Sequence, residues 1–193
     1  MSLKKKIASI IFVALTAMAS TVAEAQIAIK NNLIYDVNRT PNLGVEIGLS
    51  PKTTAQVFYG INPWKYSDDK QMRHWVVMPE YRWWTCSRFN GHFFGIHAMG
   101  GEFNVQNMKD TFGLIKEDIE HRRYEGWFIG GGITYGYQWI LNKHWNIEAS
   151  VGFGYDYIQY KEYECGECGA FTTKDHSNYV GPTKLALSML YLF

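Results

Sequence analysis

Three kinds of residue in this chain could carry chemistry: a close cysteine pair, a scatter of histidines, and charges that recur with a period of two. The run Cys165-Gly166-Glu167-Cys168-Gly169 fits a redox pair, half of a zinc site, or a disulfide that closes a tight ring. Zinc needs four ligands. His176 is near in sequence and no fourth ligand is evident, so no metal site is assigned. An oxidising exterior favours a Cys165–Cys168 disulfide, and Cys86, far away in the chain, is expected to stay unpaired. Histidines stand at 74, 92, 97, 121, 144 and 176, and only His97 is placed like a general base. No nucleophile signature or glycine-rich phosphate loop accompanies it, so no catalytic residue and no cofactor is assigned. The charges Lys30, Asp36, Glu46, Glu80, Arg82, Glu148, Asp156 and Lys184 all fall on one side of alternating stretches. A carboxylate cluster of that kind could relay protons or perform acid–base catalysis. It could equally be a set of internal ion pairs, with Glu46, Glu80 and Glu148 answered by Lys30, Arg82 and Lys184.

The elements that must position these residues are strands. Between 124 and 160 the chain alternates strictly, turning once near Asn142 and Lys143. One face carries Trp127, Ile129, Ile133, Tyr135, Tyr137 and Trp139, then Trp145, Ile147, Val151, Phe153, Tyr155 and Tyr157. The other carries Gly130, Gly132, Thr134, Gly136, Glu148, Gly152, Gly154 and Asp156. Side chains of a strand point alternately to opposite faces. A face of glycines and carboxylates suits the cramped inside of a narrow tube. An aromatic-ended apolar face suits lipid. Further alternating stretches read as strands over 27–36, 43–49, 55–61, 74–85, 92–102 and 180–193. The fold expected is all-β: an eight-stranded antiparallel up-and-down transmembrane β-barrel with short turns at one end and longer loops at the other, notably 103–123 and 162–179. An eight-stranded barrel is just wide enough to be filled by side chains. Charges placed there must pair across the lumen, because an unpaired buried charge is costly.

Residues 1–25 read as a secretory signal peptide, with Lys4, Lys5 and Lys6 before an apolar run and Ala23-Glu24-Ala25 as the cleavage site. The barrel domain is then 26–193. Removing three lysines and one glutamate takes the formal net charge from +1 to −1, which leaves no field to attract nucleic acid. Hydrophobic residues make up 47% of the chain, yet mean hydropathy is −0.23. A barrel gives that combination, since only every second residue meets lipid. The terminal alternation Leu185, Leu187, Met189, Tyr191, Phe193 matches the signal read by the outer-membrane barrel insertion machinery. The expected location is the outer membrane, with both termini periplasmic and membrane lipid as a contact.

Several blocks are specific. Asn32-Leu33-Ile34-Tyr35-Asp36, Thr40-Pro41-Asn42-Leu43-Gly44, Asn62-Pro63-Trp64-Lys65, Tyr124-Glu125-Gly126-Trp127, the Cys165–Cys168 run and Gly181-Pro182-Thr183-Lys184 together resemble a family of small Bacteroidetes outer-membrane proteins recorded only as a domain of unknown function. The resemblance covers the mature chain. It implies an outer-membrane barrel and, from the surroundings of some members, a surface or fimbrial partner; it brings no catalytic residue. The leading expectation is therefore a non-enzymatic barrel, plugged inside, that anchors or binds a surface protein through its loops. An enzyme of outer-membrane lipid and a narrow pore are the alternatives.

Overall fold

The computed structural model describes residues 26–67, 70–106, 123–163 and 171–193. Nine strands and one helical turn follow in order: β1 (Ile27–Asn32), α1 (Leu33–Val37), β2 (Asn42–Ser50), β3 (Thr53–Asn62), β4 (Lys65–Ser67), β5 (Lys70–Trp84), β6 (Gly91–Gln106), β7 (Arg123–Ile140), β8 (Trp145–Tyr163) and β9 (Phe171–Leu192). Every pairing is antiparallel. β3 pairs directly with β5, and β1 pairs with both β2 and β9. The eight long strands therefore close into a ring, an up-and-down barrel, with β4 a short flap against the top of β5.

The strands lengthen around the ring, from 6 residues in β1 to 22 in β9. One wall is consequently low and the opposite wall tall. β9 meets β1 only from Ser188 to Leu192, whereas it meets β8 almost throughout. Asn32 extends the short seam. Its side-chain Nδ2 donates to the Leu185 carbonyl at 3.3 Å, and its Oδ1 accepts from the Leu187 N–H at 3.3 Å. The same Oδ1 accepts from the Ile34 N–H at 3.1 Å, capping α1. One side chain thus ends a strand, starts a helical turn and closes the ring.

Two expectations change here. The first strand stops at Asn32, not at 36, and Asp36 lies exposed on α1 rather than inside. The Asn32 amide competes with the ladder for the backbone N–H two residues on, which bends the chain away. The stretches expected as loops at 103–123 and 162–179 are strand where they are described, since β6 runs to Gln106, β7 begins at Arg123, β8 runs to Tyr163 and β9 begins at Phe171. Beyond the apolar belt the outward face turns polar while Phe103 and Val105 face inward, so the outward apolar pattern ends while the ladder continues. The remaining residues of those loops, with Cys165, Cys168 and 1–25, lie outside the described residues.

Candidate functional site: the sealed lumen

The interior has three layers. At the turn end, Ala28, Trp84, Phe89, Phe93, Leu190 and Leu192 form an apolar plug. Phe89 reaches it from the β5–β6 turn with φ of 61°, and Asn146 ties it down through an Nδ2 bond to its carbonyl at 3.2 Å. At the loop end, Tyr124, Ile158, Tyr160 and Tyr179 form a second cluster, flanked by Phe103, Val105 and Phe128. The charges lie between.

Arg82 is fully buried and is the hub. Its Nη1 and Nη2 clamp the Glu148 carboxylate at 2.8 and 3.0 Å, Nε meets Glu80 at 3.1 Å, and Nη1 also meets Glu46 at 3.1 Å. Lys30 bridges Glu46 and Glu148, the latter at 2.6 Å. Lys184 pairs with Glu80. The structure thus brings together all six charges expected to pair, three cations with three carboxylates, so the cluster is neutral as a whole. Neutral side chains complete it. Gln56 donates to Glu80 at 2.7 Å, Thr54 donates to Glu46, and the Trp84 indole donates to Thr54 at 3.0 Å. The Arg82 guanidinium also stacks 4.3 Å over the Phe93 ring, joining the charge layer to the plug. A buried ion cluster is tolerable only when every member is satisfied in this way.

Glycines supply the room. A Cβ on Gly95 would stand 2.7 Å from the Glu80 carboxylate. Gly136 lies under the Phe93 ring with no space for a side chain. A cavity of about 50 Å³ lies beside Lys30, Arg82, Glu148 and Lys184, roughly the volume of one or two waters.

His97 faces inward beside this layer and is buried. Its Nδ1 lies 2.9 Å from Thr134 Oγ1 and its Nε2 2.9 Å from Thr183 Oγ1. Both nitrogens are thus committed to hydroxyls. A general base needs a ring nitrogen facing a substrate. The other described histidines lie elsewhere: His74 half-buried on β5 between Asn62 and Phe103, His92 beside the Tyr135 hydroxyl at 2.7 Å, His144 stacked on Tyr191, His176 stacked on Tyr157. Asp156 is buried below the upper cluster, and its Oδ1 has no hydrogen-bond partner among the described residues. Cys86 is an exposed free thiol in the β5–β6 turn.

Sequence reasoning missed the two apolar layers. Trp84 shares the parity of Arg82, Phe93 that of His97, and Ile158 and Tyr160 that of Glu148, so extending the alternation would have placed them inside. Phe89 had no such signal, because a turn residue has no parity.

An antiparallel β-barrel of eight strands, its lumen filled by a neutral ion cluster between two apolar plugs, is the class that fold and interior define. The chain belongs to the DUF3575 family, described as proteins of unknown function, whose profile matches residues 9–193. No curated protein matches it.

Proposed function

We propose that the chain is an integral outer-membrane barrel that conducts nothing and acts through what its loop-end rim presents, as an anchor or docking point for a surface protein of the fimbrial or adhesin kind. The single observation that carries this reading is the inversion of polarity. Arg82 and Glu46 are at 0% exposure while Ile133 and Phe153 are at 68% and 56%. A water-soluble barrel with charges inside and isoleucines outside would expose an apolar surface far beyond the few hundred Å² that such proteins tolerate.

The dimensions also favour a bilayer. On β7 the outward tryptophans Trp127 and Trp139 stand twelve positions apart, about 40 Å along a strand. A tilt of 35–45° reduces this to about 30 Å along the membrane normal, which matches an apolar band flanked by aromatic girdles. Trp83, Tyr137, Trp145 and Tyr191 accompany Trp139 at the turn end. Trp75 accompanies Trp127 at the loop end, and each of these two indoles donates to an outward polar group, Glu102 at 3.0 Å and Gln159 at 3.1 Å.

The partner-binding version is tested by deleting the gene in the source cell and measuring surface adhesion and fimbriation. Loss of either, restored by the wild-type chain, is expected; unchanged adhesion and fimbriation contradict it.

A further inference from the structure

Three strands of the tall wall repeat one arrangement on their outward face. Two positions beyond the loop-end girdle each carries a cation: Arg73 follows Trp75 on β5, Lys161 follows Gln159 on β8, and Lys174 follows His176 on β9. Gln159 accepts the Trp127 indole N–H, and His176 stacks on Tyr157 at 5.8 Å, so the positions below the two lysines belong to the girdle itself. Lys161 and Lys174 are direct cross-strand partners. Both are exposed and neither makes an ion pair or hydrogen bond among the described residues. Glu125 sits opposite Lys161 on its other side but is bonded to Arg123 at 3.0 Å. Asp175 points to the opposite face of β9 from Lys174 and lies 3.6 Å from His176.

Like charges placed directly opposite each other on a sheet are destabilising. A pair of this kind, left without a carboxylate between them, is relieved by an anion held across both. Its height, about 7 Å along the strand beyond the interfacial aromatics, is where lipid headgroups meet a barrel. A cavity of about 630 Å³ at the loop-end rim has Lys161 and Lys174 in its lining, together with the outward carboxylates Glu102 and Glu125 and the inward His74 and Tyr160. We propose that Lys161 and Lys174 hold a phosphate group of an outer-leaflet lipid, whose acyl chains lie against the apolar wall below. This rests on the membrane-spanning reading given above.

The test uses the mature chain folded in dodecyl maltoside, with diphosphoryl lipid A, its fully dephosphorylated counterpart, and inorganic phosphate as probes. Native mass spectrometry reads the lipid retained. The wild-type chain is expected to retain the diphosphoryl lipid and to lose about 30-fold in affinity in the Lys161→Gln/Lys174→Gln variant, the scale set by two basic residues against an anionic lipid surface. Lys161→Arg/Lys174→Arg is expected to keep binding, and heat-modifiable gel mobility confirms that both variants are folded. Equal retention by the glutamine variant, or equal retention of the dephosphorylated lipid, overturns the proposal. Displacement by an equal concentration of inorganic phosphate overturns it in favour of a free-anion site. Insertion into lipid vesicles is scored separately: a wild-type chain that does not insert contradicts the membrane reading, whereas one that inserts without headgroup preference contradicts only this proposal.

Discussion

Arg82 meets three carboxylates at once, and the neutrality of the cluster depends on it. Replacing it by methionine leaves Glu46, Glu80 and Glu148 with only Lys30 and Lys184, so one carboxylate stays buried and uncompensated. The expected cost is about 3–5 kcal/mol, read as a lower urea midpoint for loss of the fast-migrating folded band on gels. An unchanged midpoint would mean that water reaches the lumen. The double variant Arg82→Met/Glu148→Gln restores neutrality and should recover part of the loss, because the two residues share a bidentate pair and their effects are not additive. At this scale the sequence was informative, since a charge inside an alternating stretch has few ways to be satisfied. It was silent where identity and environment part company: Asp36 has the parity of a lumen residue and sits on an exposed helical turn.

Among the elements, β1 is the least held strand of the ring, with four residue pairs to β2 and a short seam to β9. Five residue pairs and the Asn32 amide close it. Asn32→Ala removes a cap and two seam bonds, and a loss of about 1–3 kcal/mol is expected. Amide exchange by mass spectrometry should locate the effect, with faster exchange confined to peptides spanning 27–37 and 183–190. Uniform acceleration around the barrel would show instead that the seam and the remaining strands open together. The eight strands of the ring and their order were legible from alternation, as were the turn near Asn142 and the inward face of β8, whereas the short β4 was not. Strand ends were not, because the ladder outlasts the outward apolar pattern: at the loop end the apolar residues, Phe103 and Val105 beside Tyr124, move to the inward face. The inward plug of Phe89 was hidden for a different reason: its position depends on a left-handed turn residue, which periodicity does not encode.

For the whole molecule, the layered lumen predicts no conduction. Planar bilayers holding the purified mature chain should show no discrete steps; reproducible single-channel events would contradict the seal formed by Arg82 and the two apolar plugs. Orientation has its own handle in Cys86, exposed in a turn at the end of the barrel where the chain terminates. In a Cys165→Ser/Cys168→Ser background, a bulky polyethylene-glycol maleimide should label Cys86 only after the outer membrane is permeabilised. Labelling of intact cells would reverse the topology. The most direct test of the central claim is a nitroxide scan of β7 from Trp127 to Trp139 in lipid vesicles, with all three cysteines replaced by serine. The account predicts oxygen accessibility that rises and falls with a period of two, peaking at Ile129, Ile133 and Tyr135, with little access for a water-soluble nickel reagent at those positions and low access for both at Thr134 and Gln138. High nickel accessibility at Ile129 and Ile133 would place that face in water and contradict it.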